Sequence, residues 1–321
     1  MKKLRTVIWL CFMLLAGSVI HAVLPETEDD NYEYKFTFIA PLKWFPVVEG
    51  IQEADRKWNT NTNLISFSRL DEENYIRAIR EAVLAGTDGI IAAGFYQSEE
   101  LCAAILEAEE AGIPVVLIDS DLPESARSSY IGTDNRRAGM IAGQKLIEAA
   151  DGRAHVAVIT SDESTPNQKE RLAGFADALK EEEGMELVTI LECHSDTFEL
   201  TEKVTKLFQE HPKIDALFLS ESVSGTVVGN ILRKKEGPQV RVVAFDNLSE
   251  TRRFIEAGTY ACSVTQQFYE EGYLAVEQLK RILQGEKTEK IIYTDVTVLR
   301  AENLAQYPQD QYKECEWKLY E

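Results

Sequence analysis

Positive charge is scarce in this chain: 34 lysines and arginines stand against 54 aspartates and glutamates, a net charge of −20. Beyond the first few residues the longest basic run is Arg233-Lys234-Lys235, and no extended basic patch follows from the sequence. Contact with a phosphate backbone needs one, so nucleic acid is excluded as a partner. Histidine is rarer still. The four, His21, His155, His194 and His211, lie at no zinc-like spacing, and neither a metal nor a cofactor is expected. Cys193 and His194 are adjacent, and read on one strand they point to opposite faces and cannot chelate together. The five cysteines, Cys11, Cys102, Cys193, Cys262 and Cys315, are widely spaced without metal or redox pairing, and the plain reading is small buried apolar side chains. G-x-S-x-G, the P-loop and a G-x-G-x-x-G after a strand are all missing, so no signature of catalysis is present. Low-complexity segments and repeats of 20 to 50 residues are absent as well.

What the chain does have begins with a targeting element. Lys2, Lys3 and Arg5 form a positive start, residues 7–20 are apolar, and Ala22 offers a weak cleavage position. Residues 1–24 therefore read as a signal peptide or membrane anchor and 25–34 as a polar linker. The apolar run is short against the ~20 residues of a spanning helix. Leu10 before Cys11 is not the small residue a lipoprotein site requires. The expectation is an exported protein outside the cytoplasmic membrane, periplasmic or cell-surface, with the leader either cleaved or kept as a tether.

At 321 residues and 45% hydrophobic content the chain can bury two domain cores. Residues 34–40, 64–67, 88–92 and 115–118 read as strands, separated by helices at 44–58, 71–84 and 98–111, with a turn cluster at 59–63. Strand alternating with helix across short loops is the signature of a parallel sheet. Residues 113–139 organise the whole: an apolar strand ends at Asp119, a polar loop and a short return follow, and Thr133, Asp134 and Asn135 open a new helix. The alternation then restarts, with strands at 155–160, 186–191, 216–220, 240–245 and 259–265. A carboxylate at the carboxyl end of a parallel strand stands where open α/β sheets bind ligands. The fold class is α/β: two Rossmann-like, doubly wound parallel lobes with a cleft between them.

Five stretches together resemble the periplasmic binding protein type 1 family, the ribose- and galactose-binding-like solute receptors and the sugar-binding half of LacI-type repressors. They are AGIPVVLID ending at Asp119, IGTDN ending at Asn135, ERLAGF ending at Phe175, VVAFDN ending at Asn247 and SVTQ ending at Gln266. The resemblance implies lobes of residues 35–131 plus 267–293 and 132–266 plus 294–303, joined by a three-strand hinge that includes Thr133 and Asp134, with 304–321 as a tail. It implies a small carbohydrate held by Asp119 and Asp246 as hydroxyl acceptors, Arg171 or its neighbour Lys169 as donor, Gln266 at the hinge, and Trp44 stacked on the sugar ring. Departures are Pro41-Leu42-Lys43-Trp44 after the first strand, Ser120 where an arginine is frequent, and Glu221-Ser222 in place of an Asn-Asp pair. Glu221 is carried as a site candidate beside its plainer reading as a solvent-facing acid.

Chemistry agrees with a sugar site, because charged hydrogen bonds to hydroxyls are strong and directional and an indole covers a pyranose C–H face. Competing readings are a helix cap for Asp134, lobe packing for Trp44 and a hinge hydrogen bond for Gln266. The expected partners are the membrane permease of an ABC transporter or a membrane-bound sensor kinase, with the receptor itself a monomer. Two other functions were weighed. A LacI-type transcription regulator needs a DNA-binding module of roughly 50–60 residues where this chain has a leader. An exported enzyme on the same scaffold finds no supporting residues.

Overall fold

The computed structural model describes residues 31–41, 44–67, 71–194, 197–233 and 240–307. The leader, most of the linker, Cys11, Cys315 and the tail beyond 307 lie outside the described residues. The first half runs β1 (Tyr34–Pro41), α1 (Phe45–Trp58), β2 (Thr60–Phe67), α2 (Glu72–Leu84), β3 (Gly89–Ala92), α3 (Glu99–Glu110), β4 (Val115–Ile118) and β5 (Ser129–Thr133). Then come α4 (Asn135–Ala149), β6 (Ala154–Thr160), α5 (Pro166–Lys180), β7 (Met185–Glu192), α6 (Thr197–Glu210), β8 (Ala216–Leu219) and α7 (Ser222–Leu232). The chain continues with β9 (Arg241–Phe245), α8 (Ser249–Glu256), β10 (Cys262–Thr265), α9 (Phe268–Leu283), β11 (Ile291–Thr294) and β12 (Thr297–Leu299).

The strands form two six-stranded sheets, ordered β2-β1-β3-β4-β5-β11 and β7-β6-β8-β9-β10-β12. The first is parallel throughout, and the second is parallel except for β12, which runs antiparallel to β10. Alternation along β4 shows why its apolar run has no polar face. Val115 and Leu117 enter one core cluster and Val116 and Ile118 another, on opposite sides of the sheet. All four are fully buried, and each side chain contributes roughly 1.5–3 kcal/mol relative to exposure.

Two sequence expectations change. The polar cluster at 59–63 is strand from Thr60 onward, and Asn59 alone makes the turn, at φ 53°. Thr60 and Thr62 are buried because the Asp55 carboxylate accepts from both hydroxyls, at 2.6 and 3.0 Å, and from the Thr62 amide at 3.0 Å. Cys193 and His194 follow β7 rather than lying on it. Cys193 is buried with its thiol 3.2 Å from the Thr160 carbonyl, and His194, at φ 45°, turns its ring to Glu199. Cys102, Cys193 and Cys262 form no disulfide among the described residues.

The chain passes from the first sheet to the second after Thr133, returns after Gln266 as α9 packs along α1, and passes again between Thr294 and Thr297. Helices α4 and α5 cross at backbone contact in the second lobe. A Cβ on Gly139 would stand 1.9 Å from the Arg171 carbonyl, and one on Gly174 would stand 1.9 Å from that of Arg136. Only glycine permits this approach, and it fixes the helix that carries Arg171.

Candidate functional site

β4 and β9 hold the same place, fourth from the β2 and β7 edges of their sheets, and each ends in an aspartate with left-handed backbone. Asp119 has φ 59° and Asp246 φ 67°. That conformation costs a non-glycine residue roughly 1–2 kcal/mol, and aspartate is among the side chains that visit it. Asp119 is 5% exposed, and its carboxylate accepts from Asn167 Nδ2 on α5 at 3.2 Å. The Tyr130 hydroxyl fixes its carbonyl at 2.9 Å. Asp246 is half-buried and accepts from Gln266 Nε2 at 3.1 Å.

Arg171 joins these groups from the second lobe. It is 1% exposed. Nε and Nη2 donate to Asn135 Oδ1 at 3.1 and 2.6 Å, Nη1 to the Ser220 carbonyl at 2.5 Å, and Nη2 to Gln266 Oε1 at 3.4 Å. The guanidinium lies 3.6 Å from the ring centre of Phe245, a cation–π contact. Gln168 braces the neighbourhood, its Oε1 accepting from the Thr160 and Ser220 hydroxyls at 3.1 and 2.7 Å.

Burial pushes the Asp119 carboxyl up to about 7; the Arg171 charge opposes this, Asp246 adds to it, and the Asn167 bond opposes it. Burial raises Asp246 too, against Arg171 and the Gln266 bond. It lowers Arg171 from its ordinary value, against the charges of Asp246 and Asp119. Asp119 on the first lobe thus acts on Asp246 and Arg171 of the second.

The remaining candidates separate. Glu221 is not solvent-facing: it is 7% exposed and caps α7, accepting from the Val223 and Ser224 amides at 2.6 Å each. An acid at a helix N-terminus is held there by unpaired amides and the helix dipole, so its burial is tolerated. Lys169 is exposed and stands apart from the Arg171 network, lining an opening of about 850 Å³ with Gln97, Tyr130, Asn167, Tyr293 and others. Thr133 and Asp134 line the same opening. Asp134 also caps α4 through the Arg137 amide at 3.0 Å. Trp44 is half-buried at the start of α1, its ring centre 6.2 Å from Phe38, 5.6 Å from Phe95 and 6.1 Å from Phe268.

Sequence reasoning missed Asn135, Asn167, Gln168 and Phe95. Asn167 and Gln168 stand four and three residues before Arg171, a spacing that puts them on its helix face. Asn135 closes a motif already singled out. Among the described residues, no group of three or more histidines, cysteines or acids is placed to hold a metal ion, and no helix is long and apolar enough to cross a membrane.

Two parallel α/β lobes joined by three crossovers are the architecture of receptors that hold a small solute between lobes. The chain belongs to the periplasmic binding protein domain family, whose model matches residues 38–287. It is 23% identical over 289 residues to the D-ribose/D-allose-binding protein of Pseudomonas aeruginosa, covering 87% of this chain and 89% of that one. GanP, a glucose-galactose binding protein from Geobacillus stearothermophilus, superposes with a TM-score of 0.80 at 32% identity, over 84% of this chain and 98% of that one. An ABC transporter solute-binding protein from Burkholderia graminis, in complex with D-arabinose, gives 0.82 at 26% identity, over 87% and 99%.

Proposed function

We propose that this protein binds a sugar or sugar-like small molecule in the inter-lobe cleft, outside the cytoplasmic membrane, by closing around it at the hinge. It then delivers the ligand to the permease of an ABC transporter or presents it to a membrane-bound sensor kinase. The observation that carries this reading is the facing set of Asp119 on one lobe and Asn135, Arg171, Gln266 and Asp246 on the other. Carboxylate acceptors and planar donors together satisfy hydroxyls that both donate and accept. The half-buried ring of Trp44, at the start of α1, supplies a face for sugar C–H groups.

The names of the relatives support the ligand class, since those proteins bind ribose, allose, glucose, galactose or arabinose. The protein acts as a monomer without cofactor or catalysis, with its leader cleaved or retained as a tether. Lys169 meets the ligand or its partner at the mouth, Glu221 borders the floor, and Thr133 and Asp134 turn with the hinge.

Isothermal titration of the purified protein with those five sugars is the direct test. Saturable heat from at least one, weakened by Asp246→Ala, supports the reading, and silence from all of them and from their amino derivatives removes it. Fractionation that places the full-length protein in the cytoplasm removes the receptor role.

A further inference from the structure

Among the described residues, charge around the cleft is out of balance. Asp119, Asp246 and Glu221 bring three carboxylates, and Arg171 is the cation that acts on both aspartates. Ser120, next to Asp119 and fully buried, is neutral and donates its hydroxyl to the Gly94 carbonyl at 3.1 Å. Lys169 is exposed at the mouth. The N-terminus of α7 offsets part of the Glu221 charge, a helix end carrying roughly half a positive charge.

A fourth acid lies behind Asp119. Glu271, on the first turns of α9, is 0% exposed, and neither carboxyl oxygen completes a hydrogen bond. The Asp119 amide and the Thr294 hydroxyl face it without closing one of ordinary geometry. Burial and the charges of Asp119 and Asp246 push its pKa well above the usual carboxylate range. It is therefore held neutral and adds no charge to the site. Closing on a neutral molecule leaves Asp119, Asp246 and Glu221 either ionised without a partner or protonated, whereas an ammonium group pairs with them and holds them ionised.

A second observation points the same way. Trp44, Phe95 and Phe268 are three half-buried rings, with Trp44 in contact with each of the other two. The Gly94 amide donates to the Ser120 carbonyl at 2.7 Å, which sets Phe95 beside the Asp119 loop. Aromatic faces attract cations as well as C–H groups. Carboxylates in excess beside an aromatic wall make a place for an ammonium group.

We propose that the cleft prefers a sugar or polyol bearing a positively charged amine over the neutral molecule of the same stereochemistry, and rejects anionic sugars. The inference rests on the sugar-binding reading above. The ammonium sits between the two aspartates and the Trp44 face, leaving Arg171, Asn135 and Gln266 to the hydroxyls.

The test is isothermal titration at neutral pH with matched sets: D-glucosamine, D-glucose, N-acetyl-D-glucosamine and D-glucuronate, and the corresponding galactose series. The expected result is an amine at least about tenfold tighter than its hydroxyl counterpart, the N-acetyl form losing that advantage, and no binding of the uronate. Asp246→Asn and Glu221→Gln should each shrink the amine preference. Neutral sugars binding as tightly as their amines would overturn this inference and leave the sugar reading standing. Heat from no member of either series, and none from D-ribose, D-allose or D-arabinose, would take down both.

Discussion

Asn167 on the second lobe donates from Nδ2 to Oδ2 of Asp119 on the first, at 3.2 Å. The bond ties the lobes together through protein atoms alone. It stabilises the closed arrangement by about 0.5–1.5 kcal/mol, as intramolecular hydrogen bonds typically do. Asn167→Ala should therefore shift the ligand-free protein toward open forms. Spin labels on Glu124 of the first lobe and Glu163 of the second, which both line the opening, should report a longer mean distance in the variant. An unchanged distance distribution would remove Asn167 as a latch.

The Asp119 carboxyl titrates near pH 7 in the fold, against about 3.9 in the unfolded chain. Between those values the folded state holds a proton that the unfolded state has released. Its stabilising contribution is fully present below about pH 4 and is lost as pH rises through about 7, at most about 4 kcal/mol. Denaturant unfolding of the wild type should thus weaken from pH 5 to pH 8 more steeply than that of Asp119→Asn. Parallel slopes in the two proteins would contradict a buried, protonated Asp119.

Asp246→Ala removes an acceptor held by Gln266 and facing Arg171. Folding should survive, because Asp246 is half-buried at a strand end rather than in a core cluster. Sugar affinity should fall by about 1–3 kcal/mol, from a ligand hydroxyl left unpaired. Titration calorimetry alongside thermal unfolding separates the two effects. Unaltered affinity would take Asp246 out of the site.

Gly139→Ala tests whether helix packing aims Arg171. The added Cβ would meet the Arg171 carbonyl at 1.9 Å, so α4 and α5 must part. Overpacking of this kind typically costs about 1–3 kcal/mol. Stability and sugar affinity should fall together. Lost stability with intact affinity would show that the crossing supports the lobe without positioning the guanidinium.

The strand–helix alternation was legible because buried parallel strands carry unbroken Val/Ile/Leu runs and helices end at glycine. Asp119, Asp246 and Arg171, the groups proposed for the site, stood out in the sequence because each terminates or sits within a recognisable motif. Glu221 was misjudged: acids are mostly exposed, and its burial as a cap depends on neighbours brought in by the fold. Residues 60–63 looked like a turn because their threonines and asparagines are polar, and the Asp55 carboxylate that makes burial possible comes from the preceding helix. Asn135 needed Arg171, 36 residues later, before its role could be seen. Glu271 gave no signal, since one acid within an amphipathic helix ordinarily faces water.

Closure around a sugar is the central claim, and small-angle X-ray scattering of the purified protein with and without a bound sugar tests it most directly. The radius of gyration should fall when the sugar binds, and the fall should shrink in Asp246→Ala at the same sugar concentration. Scattering that stays the same while calorimetry shows the sugar bound would contradict the hinge mechanism.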